Sequence, residues 1–343
     1  MTIGRTFVHA FLCLAVGYAL AAAQDTPCCY EPVGEIRTSV LGDWADTRGI
    51  FRAAAEKDGF AYVLSQADVL HVFDCCDVRK SEELIQINAS LLEIPLRIGN
   101  HNGLLRDGDR LYCYGWSGGQ IFDIHDAANP VEIGFFGAAG ACISHLVQHG
   151  SFLVAACDER VIVYSLDLMP NHPIAAVSLT MEPRMSAYAV AVVGDRLCVS
   201  GSRERSSGDV AYWLGVWDFS DPICPLLLSI AKAESCGYSL ASQDDLLFRI
   251  SGGLVELWDV NGAEPRLLDD LETCGRTVAQ GRGGIVLDGS ALAGGGGGIE
   301  VQCSFGCSED ACYDTFARCG VSADDLILLP RPRSVLILRR SSP

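Results

Sequence analysis

Arg52, His101, Asn102, His145, Tyr188, Tyr238 and Arg276 are the side chains whose types and spacing could act together on one polar or acidic ligand. Guanidinium groups clamp anions through paired hydrogen bonds, histidine moves protons near neutral pH, and tyrosine offers an apolar face with a hydroxyl. Each stands a few residues ahead of a Gly-Asp turn or its equivalent, in a window that also holds Cys142 and Arg318. The same window could equally hold aromatics and arginines that plug a narrow channel.

Other constellations point to architecture. Asp74, Asp123, Asp218 and Asp259 end apolar segments ahead of turn residues, where aspartate bonds its own backbone. His145 and His149 stand four apart in a strand-like stretch, so they form no helical ligand pair, and the remaining histidines are scattered; no metal site or other cofactor is expected. Cys303, Cys307, Cys312 and Cys319 are not spaced as paired zinc knuckles and read as a disulfide-stapled insertion over 303–319. Cys28-Cys29 and Cys75-Cys76 are adjacent pairs suited to cross-linking the N-terminal segment to a neighbour, and Cys142, Cys236 and Cys274 share one aligned position. The glycine run 294–298 lacks a following Lys-Ser/Thr and reads as a hairpin, not a phosphate loop. Asn88-Ala89-Ser90 is a glycosylation sequon by pattern, and no G-x-S-x-G elbow occurs.

The elements that must position these residues repeat. Residues 214–225 read L-G-V-W-D-F-S-D-P-I-C-P: a strand ending in Asp218, a turn, and a new strand after Pro225. Earlier copies end at 74, 123 and 165, and later ones at 259, 303 and 339. Their mean spacing of about 44 residues is one at which repeats signal propellers or solenoids. Each interval holds a strand before a Gly-Asp-like turn, one after it, one ending at the marked position and one after the Pro turn. Four short antiparallel strands per repeat make one propeller blade. Helical repeats are disfavoured because the apolar runs are short, β-branched and bounded by Gly, Pro, Asn or Asp.

The expected fold is therefore all-β: a seven-bladed β-propeller of four-stranded antiparallel blades. The seventh unit stops after its third strand at 335–339, and the orphan segment 32–40 is expected to complete that blade as its outer strand, closing the ring.

On these motifs the chain resembles the LVIVD-repeat family of exported β-propeller proteins. Residues 214–225 match its L-x-I-x-D-[VI]-S-[DN]-P-x-x-P pattern nearly throughout, and 119–130 (G-Q-I-F-D-I-H-D-A-A-N-P) match well. The other units match partly or poorly. Trp217-Asp218 and Trp258-Asp259 also resemble WD repeats, whose Gly-His partner is missing. The resemblance implies a fold and says little of activity.

Composition narrows the partners. The chain has 343 residues, 49% hydrophobic and 20% charged, with a formal net charge of −18 that disfavours nucleic acid and anionic membranes. Arg5, an uncharged apolar run and Ala21-Ala22-Ala23 before Gln24 read as a signal peptide over 1–23, too short in its apolar part to span a membrane. The remainder, 24–343, reads as a single domain, secreted, periplasmic or at the cell surface. The 16 cysteines fit an oxidising compartment with several disulfides and an odd thiol left over once Cys13 is removed. The expected function is a non-catalytic binding scaffold for an extracellular protein or glycan. The alternative is a propeller enzyme of hydrolase or lyase type, working at the channel mouth.

Overall fold

The computed structural model describes residues 30–37, 51–65, 67–78, 85–97, 99, 101–137, 142–167, 173–180, 185–204, 208–251, 253–273, 278–281, 284–287, 290–295, 298–304, 318–319, 326–331 and 334–340. Among these residues there is no helix, and every regular element is a strand.

The fourth sheet illustrates the unit. Met185–Val193, Arg196–Glu204, Val210–Asp218 and Leu226–Ala233 run as an antiparallel meander, with Ala191 opposite Cys198, Cys198 opposite Val216 and Val216 opposite Ser229. The same order recurs in three other four-stranded sheets, covering 101–136, 145–180 and 239–272. The first hairpin of each of the first five units turns at a left-handed residue: Asp58 (φ 53°), Gly108 (φ 53°), Gly150 (φ 56°), Gly194 (φ 53°) and Asp244 (φ 48°). Such tight turns need residues that tolerate positive φ, which explains why Gly and Asp mark the period.

The strand-end residues are architectural, as their spacing predicts. Asp74, Asp123, Asp218 and Asp259 each accept a hydrogen bond through Oδ1 from the backbone N–H two residues on, at 2.9, 2.8, 3.0 and 3.1 Å. In the third unit Ser165 does the same with its hydroxyl, from Asp167 N–H at 3.3 Å. The following N–H bonds back across the first hairpin, as from Ile124 to Asp109 O (2.8 Å) and from Phe219 to Asp195 O (2.8 Å).

Apolar cores lie between the faces of successive sheets. Val163, Val161 and Val154 pack on Val190, Val199 and Trp217, while Leu214, Val216 and Ala191 on the opposite face pack on Leu247 and Trp258. Val33, Ile36, Val335 and Ile337 from the two chain ends pack against Phe51, Val63 and Phe73. The arrangement is propeller-like: among the described residues the first to fifth units bury both faces against neighbours, and outer strands such as Leu226–Ala233 carry exposed side chains.

Three expectations need correction. The N-terminal strand, described over Tyr30–Arg37, pairs antiparallel with Ser334–Arg340 (Ile36 opposite Val335) as expected, and 38–40 lie outside the described residues. It is not the outermost strand, because Ile85–Ile87 pairs with it in parallel on the far side, so that sheet is mixed. In the sixth unit the four strands are Val278–Gly281, Gly284–Leu287, Ser290–Gly295 and Gly298–Ser304. Residues 299–303 are therefore the fourth strand, not the third. The Gly295–Gly298 pair closes the expected glycine hairpin, and the weakly apolar S-A-L-A-G-G strand before it hides the true register. Finally, the two-residue strand Arg318–Cys319 pairs in parallel with Phe51–Lys57 and Val278–Gly281, merging two four-stranded sets into one nine-stranded sheet.

The chain-end pairing can be tested. Ile36 is fully buried, so Ile36→Ala should lower unfolding free energy by about 2–5 kcal/mol. Glu31 meets Arg339 at the exposed edge (2.6 Å), and Glu31→Ala should cost less than about 1 kcal/mol. Urea titration followed by tryptophan fluorescence reads both; equal, small losses would mean the strand does not belong to the folded unit.

Candidate functional site

Three strands that open their units share a local irregularity that positions the candidate residues. Pairing shifts register between Phe51 and Ala53, between His101 and Gly103, and between Ala187 and Ala189. Arg52, Asn102 and Tyr188 are therefore the extra residues of three equivalent β-bulges, which re-aim a side chain out of the sheet. Ser144 and Tyr238 stand at the same place, each donating its N–H to the carbonyl, Ala156 O (2.8 Å) or Ile250 O (3.0 Å), of the residue paired with its successor.

Three of these residues link one sheet to the next. Arg52 Nη1 donates to His101 O at 2.7 Å, Asn102 Nδ2 to Ile143 O at 3.0 Å, and Ser144 Oγ to Tyr188 O at 2.8 Å. The acceptor in each case lies at or just before the neighbouring bulge. Arg52, Asn102, Tyr188 and Tyr238, which sequence spacing groups together, occupy equivalent places in their strands. In the third unit the equivalent residue is Ser144, one place before His145.

The two histidines are structural. His101 is fully buried; its backbone N–H donates to Asp68 Oδ1 (2.9 Å) and its Nδ1 lies 3.2 Å from the same oxygen. Burial lowers its proton affinity below the usual histidine range, outweighing the Asp68 carboxylate. His145 Nδ1 accepts the Val190 N–H at 3.3 Å. His101 and His145 thus join the framework separately. Among the described residues no three His, Cys, Asp or Glu side chains converge as metal ligands.

The pattern changes at the fourth and fifth sheets. Tyr188 Oη lies 2.7 Å from Ser202 Oγ, and its ring faces Tyr238 with centroids 5.8 Å apart and planes tilted by 38°. Both rings are partly exposed. Beside them the hairpin of Arg196–Glu204 and Val210–Asp218 runs nine residues per strand, against six in Phe152–Cys157 and Arg160–Ser165. Three extra residues raise it by about 10 Å. It pairs out to Glu204 and Val210 at the mouth end, with Tyr212 opposite Ser202.

Sequence reasoning missed the largest buried charge among the described residues. Arg249 is fully buried; its Nη1 donates to Glu256 Oε2 at 2.6 Å, its Nε to Ser200 Oγ at 3.1 Å, and its Nη2 to Ser235 O. Trp258 Nε1 also donates to Glu256 Oε2 (3.0 Å). Gly237 leaves room for the guanidinium, since a Cβ there would lie 2.5 Å from Arg249 Nε. The missed signal was a charge inside each of two neighbouring apolar strands, L-L-F-R-I-S and L-V-E-L-W-D, in direct register.

A second cluster, in the first sheet, links Ser65, His71 and Glu93. His71 Nε2 lies 3.3 Å from Ser65 Oγ and Nδ1 3.5 Å from Glu93 Oε1, in the order of an acid–histidine–serine relay. The Ser65 hydroxyl also lies 3.3 Å from Val69 O, Ser65 is 2% exposed, and burial lowers the proton affinity of His71.

Arg276, Cys274, Cys28 and Cys29 lie outside the described residues, as do the side chains of the 303–319 insertion and the signal-peptide segment. Cys75, Cys113, Cys157, Cys198, Cys224 and Cys236 are free thiols. An inter-blade disulfide at the aligned position therefore does not involve Cys236. Cys75, Cys157 and Cys198 are core residues whose thiols burial pushes up to about 12, making them inert.

No family model and no curated protein matches the chain. Among solved structures it is similar to the computationally designed Ika8 protein, at 11% identity and a TM-score of 0.54, over 85% of this chain and 96% of that one. At such identity the likeness speaks for the fold alone.

Removing one member of the buried ion pair should be costly. Arg249→Ala should lower stability by about 3–5 kcal/mol because Glu256 is left uncompensated, while the double variant Arg249→Met/Glu256→Leu should cost less than either single substitution. Denaturant melts of the double variant and its two single counterparts check this; additive losses would mean that the two charges act independently.

Proposed function

We propose that this protein is an exported, non-catalytic β-propeller that binds an extracellular protein or glycan at the mouth of its ring. The ring has seven blades, closed by Tyr30–Arg37, and belongs with the LVIVD-repeat proteins. Five four-stranded sheets plus the two sets merged through Arg318–Cys319 support the blade number. The antiparallel pairing of Tyr30–Arg37 with Ser334–Arg340 supports the closure.

The observation that carries the binding reading is the division of labour at the mouth. Arg52, Asn102, Ser144, His101 and His145 are each hydrogen-bonded to backbone or to a neighbouring element, which makes them framework. Tyr188 and Tyr238 present partly exposed rings to each other at the foot of the long hairpin. Paired tyrosines suit recognition, since they supply rigid apolar area with a polar edge at small entropic cost. Among the described residues no helix is long and apolar enough to cross a membrane.

The test is to probe labelled full-length protein on arrays of extracellular glycans and cell-surface proteins. Any ligand held at the mouth should lose at least about tenfold in affinity with Tyr188→Ala/Tyr238→Ala, while Glu31→Ala leaves it unchanged. A ligand bound equally by the tyrosine variant would place recognition elsewhere.

The enzyme reading is favoured by one observation, the Ser65–His71–Glu93 relay. Against it stand the burial of Ser65, its second contact with Val69 O and the exposure of Glu93, which leaves the acid solvated. A fluorophosphonate probe should therefore leave Ser65 unlabelled. An adduct at Ser65 that disappears in His71→Ala would move the conclusion to a serine hydrolase.

A further inference from the structure

Asn88 stands in a loop of unusual position. Among the described residues, the strand before it, Ile85–Ile87, is the outermost strand of the sheet built from the two chain ends. The strand after it, Leu92–Pro95, is the outermost strand of the adjoining nine-stranded sheet. The loop therefore joins two sheet edges, whose outward N–H and C=O groups would template pairing with another chain. Leu91 beside it is 56% exposed, which adds an apolar surface to the same junction.

The loop has the chemistry to cover that junction. Asn88-Ala89-Ser90 is an acceptor sequon with no proline at its middle position, and Asn88 is exposed in irregular backbone. The loop is held from its far side: Leu91 N–H donates to Val72 O at 2.7 Å, and Ser90 Oγ to Glu93 Oε1 at 3.0 Å. Asn88 and Ala89 are both exposed, so a substituent on Asn88 has access to solvent.

We infer that Asn88 is an N-glycan acceptor, and that the glycan shields the two sheet edges meeting at this loop. The inference rests on the reading that the chain is exported, here through a eukaryotic secretory pathway. The donor is a lipid-diphosphate-linked oligosaccharide. The Asn88 amide nitrogen bonds to the anomeric carbon of the sugar, the bond from that carbon to the diphosphate oxygen breaks, the amide releases one proton, and the lipid diphosphate leaves. Carbohydrate at this point is large, hydrated and unable to donate a strand, so it excludes a second chain from both edges at once.

The full chain, with its own N-terminus, is expressed in cultured eukaryotic cells, and medium and cell lysate are analysed by gel mobility before and after peptide-N-glycosidase. The secreted protein should shift by one glycan on digestion. Asn88→Gln and Ser90→Ala should run at the digested position without treatment, and Ser90→Thr should keep the glycan. Protein in the medium with no shift overturns the inference while leaving export intact. Unmodified protein found only in the cytosol overturns both. A glycan that persists in Asn88→Gln overturns the assignment to this residue. Light scattering then compares secreted protein before and after digestion under native conditions. Greater self-association after digestion supports the shielding role, and unchanged self-association overturns it.

Discussion

The rest of the structure depends on the belt of bulge residues at the entrance of the inner strands. His101 and Ile143, whose carbonyls lie at this place in the second and third sheets, are fully buried. A buried carbonyl left unpaired costs about 1–3 kcal/mol. The bulges turn Arg52 and Asn102 sideways, so that their side chains meet His101 O and Ile143 O of the next sheet. Ser144 continues the pattern to Tyr188 O. A side chain of one sheet thus satisfies the backbone of its neighbour, and the angle between sheets is set by hydrogen bonds as well as by apolar packing. The residue types differ because the bond needs only a donor of suitable reach.

Charge is handled by the same inter-sheet logic. The chain is strongly acidic, yet the charges taken inside are matched across or within sheets. Lys57 reaches from the first sheet to Asp109 Oδ1 and Ile124 O of the second, both at 2.6 Å. Arg249 reaches from the fifth sheet to Ser200 of the fourth while holding Glu256 in its own. A buried ion pair adds little net stability over an apolar pair of the same shape, and its value lies in rejecting other arrangements. For stacked sheets with similar apolar faces, that rejection is useful: a register slip between Leu246–Ser251 and Leu254–Asp259 would part the guanidinium from Glu256, and a slide of the fifth sheet against the fourth would break its bond to Ser200.

Much of this was legible in the sequence because the repeat is written in turn chemistry. Left-handed Gly and Asp at the first hairpin and Asp at the third strand end are demanded by backbone geometry, so they recur where strand residues vary. The chain-end pairing was legible for the same reason, as a strand count that failed to balance. The sixth unit was misread because Ser290–Gly295 carries few apolar residues and its turn is made of glycines. The parallel strand Ile85–Ile87 left no signal, since three residues have no periodicity. Of the candidate site, position was legible and role was not. Counting back from the turn finds Arg52, Asn102, Tyr188 and Tyr238, but only geometry tells a donor aimed at the next sheet from a ring facing another ring. Arg249 escaped because a charge within an apolar strand is read as a surface residue until its register partner is known.

Among similar units, what repeats holds the sheets together and what departs from the repeat is left for other contacts. The strand-end aspartates, the left-handed turns and the belt from Arg52 to Ser144 all recur, and each is occupied by backbone. The departures gather at one place. The fourth unit alone among its complete neighbours carries nine-residue strands in its central hairpin, and there the belt passes from short polar donors to Tyr188 and Tyr238. A tyrosine at a bulge position does not need its hydroxyl for the neighbouring carbonyl when Ser202 is within 2.7 Å, so its ring is left as surface. The polar links among the first four sheets and the Tyr188–Tyr238 pair of the fourth and fifth follow from the same inner-strand position, filled by different residues. That asymmetry sets the fourth and fifth sheets apart from the others: there tyrosine rings, not side chains bound to the next sheet's backbone, form the surface.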